Sequence, residues 1–146
     1  MSKSLRYAVA AAAAGASLIS MPAAAAPNVR TFNADLSGGN QQPGPGDLNA
    51  RGHARVTVNL NSRQVCTRLT ETGIPRPTAA HIHSGRAGTA GPPVVTLRTP
   101  TGGSSNGCTK VTRALARDIL DHPRAFYVNI HSKRFPDGAI RGQLAK

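Results

Sequence analysis

The stretch that decides the fold class is His53-Ala54-Arg55-Val56-Thr57-Val58-Asn59-Leu60. Ala54, Val56, Val58 and Leu60 fall on one side of an extended chain, and His53, Arg55, Thr57 and Asn59 on the other. That period of two is the mark of a strand covered on one face. Asn61-Ser62 is a turn signal, and Val65 to Thr70 returns as the hairpin partner. Upstream, Phe32 to Leu36 alternates in the same way, before a Gly/Pro-rich loop from Ser37 to Gly52. Downstream, Ala79 to His83 is short and extended, Ser84 to Pro93 is glycine-rich, and Val94 to Arg98 is a further strand. Thr99 to Gly107 reads as a polar loop. Helical spacing occurs once: Thr112 caps a short helix near 112–121 with Leu115, Ile119 and Leu120 on one side, ended by Pro123. Phe126, Val128 and Ile130 form another alternating strand. Phe135-Pro136-Asp137-Gly138 is a turn, and Ile140, Gly142 and Leu144 close the chain as a strand. Seven or so short strands predict an all-β antiparallel sandwich or barrel with one short helix.

The 146 residues suffice for one domain. Fifteen glycines and 11 prolines, without a heptad run, exclude a coiled coil. Residues 1–25 read as a signal peptide, with Lys3 and Arg6 ahead of an apolar run from Ala8 to Ile19 that is too short to span a bilayer. Small residues follow Met21-Pro22, and cleavage is expected after Ala25, leaving residues 26–146 as one secreted or periplasmic domain with no stable membrane span. The chain carries 18 Lys and Arg against 6 Asp and Glu. Without Lys3 and Arg6, 16 basic residues remain against 6 acidic ones, a net charge of +10. The arginines are scattered singly and aromatics make up only 3%, so nucleic-acid binding is disfavoured against a solvated basic surface. Salt-sensitive attachment to anionic envelope polymers stays open.

Cys66 and Cys108 are the two cysteines. In an exported chain an even count reads first as a disulfide, with Cα atoms about 4.4–6.8 Å apart. Its loop would contribute roughly 4 kcal/mol by chain entropy. The rival reading, thiolate ligation of a metal, lacks a C-x-x-C spacing.

Of the five histidines, His81 and His83 are two apart and share a strand face, with Ile82 on the other. The same alternation groups Tyr127, Asn129 and His131. If the two strands are neighbours, three imidazoles and an amide converge on one polar face, a donor set that suits zinc or copper. The alternative is a hydrogen-bonded cluster that pins the glycine loop. Arg141 and Gln143 share a face of the last strand, where they either bind a ligand or clamp the neighbouring strand. Gly85-x-x-Gly88-x-x-Gly91 lacks the Gly-Lys-Ser/Thr ending of a phosphate loop, and no G-x-S-x-G nucleophile elbow is present.

Ala80-His81-Ile82-His83-Ser84-Gly85, Gly88 to Val95, Phe126-Tyr127-Val128-Asn129-Ile130-His131 and above all Pro136-Asp137-Gly138-Ala139-Ile140-Arg141-Gly142-Gln143-Leu144 resemble the CHRD domain, the chordin-type module common in exported microbial proteins. Leu36-Ser37-Gly38 and Pro43 through Gly52 also fit, so the resemblance spans nearly the whole mature chain. Gln41-Gln42 stands where the family often has an acidic residue and valine, and Ala139 where it often has Glu. The resemblance implies a Greek-key β-sandwich similar to Cu/Zn superoxide dismutase, in which His81, His83 and His131 would match copper ligands. It implies no established activity. Only His53 and His122 remain for a second metal, so a two-metal dismutase is not expected. The leading expectation is a non-enzymatic exported module for an envelope or extracellular ligand. One copper or zinc would sit on His81, His83 and His131, with Tyr127, Asn129, Arg141 and Gln143 around them. The alternatives are a metal-free adhesion module for envelope protein or polysaccharide, and a single-metal redox or hydrolytic enzyme.

Overall fold

A computed structural model describes residues 27–146; the signal peptide expected at 1–25 lies outside the described residues. Eight strands are present: β1 (Val29–Ser37), β2 (Arg51–Asn59), β3 (Gln64–Thr72), β4 (Pro77–Ser84), β5 (Pro93–Leu97), β6 (Ser104–Lys110), β7 (Phe126–Ser132) and β8 (Ile140–Gln143). One helix, α1 (Arg113–Asp121), lies between β6 and β7. The strands form a single antiparallel sheet in the order β5-β4-β7-β8-β1-β2-β3-β6.

The two ends of that order, β5 and β6, meet and nearly close the sheet into a barrel. Hydroxyls stitch the seam: Ser105 Oγ donates to Arg98 O at 2.6 Å and Thr109 Oγ1 donates to Thr96 O at 3.0 Å. The chain crosses from β3 to β4 and from β6 to β7, strands that are not neighbours in the sheet, as Greek-key connections do.

The barrel interior takes the apolar phase of each strand. Ala54, Val56, Val58 and Leu60 are all fully buried, as their alternation requires. Phe32, Val65, Leu69, Ile82, Val128, Ile130 and Ile140 join them, and α1 adds Ala116, Ile119 and Leu120. The β2–β3 turn forms where expected, with Asn59 Oδ1 accepting from the backbone N–H groups of Asn61 and Ser62 at 3.0 Å. Thr112 Oγ1 caps α1 by accepting from Leu115 N at 3.1 Å.

One segment departs from the sequence reading. The expected polar loop from Thr99 to Gly107 gives way at Ser104 to strand β6, paired in register with β3 from Gln64↔Lys110 to Thr70↔Ser104. Cys66 and Cys108 are disulfide-bonded, as expected, but they face each other directly across that ladder. The bridge therefore fastens an edge strand rather than a loop. Its Cα atoms are 4.0 Å apart, closer than the expected span.

Over β4, β7 and β8 the outer face of the sheet is partly covered: His83, Tyr127, Asn129 and Arg141 are buried, and His81, His131 and Gln143 are half-buried. Residues 38–47, 85–91 and 135–139 fold across it. Asp47 N donates to Ala139 O at 2.8 Å, and Gln41 Nε2 donates to Asp137 O at 2.7 Å, so two of these segments are tied together. Gly138, with φ +135°, lets them close: a Cβ there would stand 2.5 Å from Asn129 Oδ1 and from the Gln41 amide. Polar side chains on three strands are thereby wholly or half buried in a thin second layer.

Candidate metal centre

The β4–β7 register pairs His81 with Asn129, His83 with Tyr127 and Ala79 with His131. With a common side-chain phase, the three histidines share the covered face, and one nitrogen of each lies within 4.8 Å of the others. His81 Nδ1 and His131 Nε2 are 3.2 Å apart. Their ring centroids are 5.1 Å apart, and that of His83 lies 5.6 Å from His81 and 5.8 Å from His131.

Backbone carbonyls fix two of the tautomers. A carbonyl only accepts, so the 2.8 Å contact from His83 Nδ1 to Gly91 O puts a proton on Nδ1 and a lone pair on Nε2. The contact of His131 Nδ1 with Pro136 O, also 2.8 Å, does the same there. Metal-bound histidines are held this way, the far N–H donated to a carbonyl so that the near nitrogen points at the ion. His83 Nε2 is buried and has no hydrogen-bond partner. Burial holds the pKa of His81 below the usual imidazole range, and the neighbouring His131 and His83 lower it further. Burial also lowers that of His83; the Gly91 carbonyl opposes this, while His131 and Arg141 add to it. Both rings are thus biased toward the neutral form that ligates metals.

The surrounding residues split in role. Tyr127 stacks on His83 with centroids 4.9 Å apart and planes 12° apart, and the Arg141 guanidinium lies 3.4 Å from the centre of the Tyr127 ring. This column locks the His83 ring plane. Besides this contact of Arg141 with the neighbouring strand β7, Arg141 and Gln143 grip the loop after β4. Arg141 donates to Thr89 O and Arg86 O, both at 2.8 Å, and Gln143 Nε2 donates to Gly85 O at 2.6 Å. Asn129 lies in the same layer, and its Oδ1 and Gln41 Oε1 are the other two unpartnered buried side-chain atoms among the described residues. His53 and His122 stand apart, exposed and paired with Asp35 and Asp118.

Sequence reasoning did not reach the carbonyls of Gly91 and Pro136, which orient the rings. Backbone groups carry no residue-type signal. Gln41 stands out in the sequence only as a departure from the family pattern, and its amide bridges the covering segments.

These observations define a β-barrel module with a loop-covered three-histidine cluster on its outer face. The CHRD domain family matches residues 32–144, and the chain belongs to it. Neither the curated proteins nor the solved structures contain a match.

Proposed function

We propose that this is an exported, non-enzymatic binding module that holds one copper or zinc ion through His81, His83 and His131. Residues 1–25 act as its signal peptide. The observation that carries the reading is His83 Nε2: a buried lone pair without a partner, on a ring whose other nitrogen is anchored and whose plane is locked by Tyr127. A cluster serving only to pin the glycine loop needs His83 Nδ1 and leaves Nε2 a desolvated acceptor at a cost of about 1–3 kcal/mol. A metal ion satisfies it, and three imidazoles suit both zinc and copper. No carboxylate joins the cluster among the described residues, so a base for hydrolysis would have to be Tyr127 or one of the imidazoles that hold the ion. That favours binding over hydrolysis. The disulfide supports export, because such bonds persist in oxidising compartments. No helix among the described residues is long and apolar enough to cross a membrane.

Calorimetric titration of metal-stripped protein tests the proposal. One equivalent of Cu(II) or Zn(II) should bind, and His83→Ala should abolish binding, with His131→Ala as the second variant. His53→Ala and His122→Ala should bind as the parent does. Affinity weaker than about 1 mM, equivalent to only about 4 kcal/mol, or binding indifferent to both cluster variants overturns it.

A further inference from the structure

A second surface lies on β1, β2, β3 and β6, whose outer face carries no covering loop. Four residues cross it in one register row: Asn33 on β1 opposite Arg55 on β2, Arg55 opposite Arg68 on β3, and Arg68 opposite Asn106 on β6. Like charges directly opposite on neighbouring strands repel, so the Arg55–Arg68 pair costs stability. Neither arginine donates a hydrogen bond or forms an ion pair among the described residues, and both are exposed. The other basic groups on this face are engaged. Arg51 donates to Leu48 O and Ala50 O, both at 2.7 Å, and Lys110 donates to Ser62 O at 2.9 Å. The Asp35 carboxylate, the acid on this face, is turned to His53 at 3.0 Å. Arg55 and Arg68, with Thr57, Asn106 and the Cys66–Cys108 bridge, line a shallow depression of about 280 Å³. The bridge holds the edge strand that presents Asn106 against β3.

We propose that this row is a binding site for an anionic polysaccharide, with Arg55 and Arg68 as a paired fork for its oxyanion groups and Asn33 and Asn106 as hydrogen-bonding flanks. Two adjacent guanidiniums match a carboxylate or sulfate group through parallel N–H donors. An occupant must supply negative charge and hydroxyls on a flat surface, because the row offers amides and guanidiniums and no apolar anchor. The face has no Phe, Tyr or Trp to stack bases, and its imidazole, His53, is held by Asp35, which disfavours single-stranded nucleic acid. A protein partner would want an aromatic or aliphatic hot spot, and the row has none. The site is remote from the histidine cluster in the sheet order and does not depend on metal.

Affinity electrophoresis of the purified exported protein through gels containing polygalacturonate, dextran sulfate, neutral dextran or single-stranded DNA tests the assignment. Retardation is expected in polygalacturonate or dextran sulfate, and whichever is the stronger identifies the anion. Arg55→Gln/Arg68→Gln should weaken that binding at least tenfold. Arg113→Gln/Arg117→Gln, an equal charge loss on the exposed side of α1, should change it less than twofold. Arg55→Lys/Arg68→Lys, which keeps the charge and removes the fork, should lose at least threefold. Equal losses in the sheet and helix variants, full binding by the lysine variant, equal retardation in neutral dextran, tighter binding to DNA, or no retardation in either polyanion would each overturn the proposal.

Discussion

Replacing Cys66 and Cys108 together by serine removes a cross-link between residues 42 apart in sequence. In the chain-entropy treatment a loop of that size is worth about 4 kcal/mol, through the freedom the cross-link denies to the unfolded chain. The native state loses little directly, because the two residues are register partners in a ladder that persists without the bond. The loss should still be local in one respect. Beyond the bridge, β6 is held on its far side by the hydroxyls of Ser105 and Thr109 rather than by a backbone ladder. At about 3–5 °C per kcal/mol for a domain of this length, the midpoint should fall by about 10–20 °C. Differential scanning calorimetry reads that drop, and amide exchange should show faster opening in Ser104–Lys110 than in β4 or β7. A drop of under about 3 °C, or opening concentrated in β7, would mean that the bridge does not restrain this edge.

Arg141→Gln should destabilise the fold by about 3 kcal/mol, because charged hydrogen bonds to the Thr89 and Arg86 carbonyls are lost in a buried site; urea unfolding measures it, and a change under 1 kcal/mol would contradict the clamp. Thr112→Ala should cost about 1 kcal/mol through loss of the cap on Leu115 N, and a neutral effect in the same assay would show the cap to be dispensable. Arg55→Thr should raise stability by about 0.2–1 kcal/mol by removing the like-charge opposition to Arg68, whereas a loss of 1 kcal/mol would deny that the pair is strained. The metal-free protein should lose stability on acidification below about pH 6.5. The native pKa values of His81 and His83 are lowered, so in that window the unfolded chain binds more protons than the native one. Urea midpoints at pH 7 and pH 5.5 should differ in that direction, and by less in His83→Asn. A midpoint that rises with acid would contradict the sign.

The strands that build the interior were legible because each one alternates. Val56 and Val58, Ile82, and Val128 with Ile130 are buried by phase alone, so both the barrel and the shared face of His81, His83 and His131 could be placed from sequence. Strand β6 was not legible. Ser104-Ser105-Asn106-Gly107-Cys108-Thr109-Lys110 has no apolar phase, since an edge strand outside the main core buries little, and its pairing comes from β3 and the disulfide. The partial burial of the histidine face was likewise hidden. It depends on segments 38–47 and 135–139 meeting over Asn129, a contact between distant residues that no local period encodes. Arg141 and Gln143 were recognisable as a pair on one face, but the loop they grip was not, because its acceptors are backbone carbonyls.

The proposed site brings His81, His83 and His131 onto one ion. X-ray absorption at the metal edge, on protein loaded with one equivalent of zinc or copper, addresses it directly. The first coordination sphere should contain three imidazole nitrogens at about 2.0–2.1 Å, reduced to two in His83→Ala. A sphere of oxygens alone, or one unchanged by loss of His83, would contradict it.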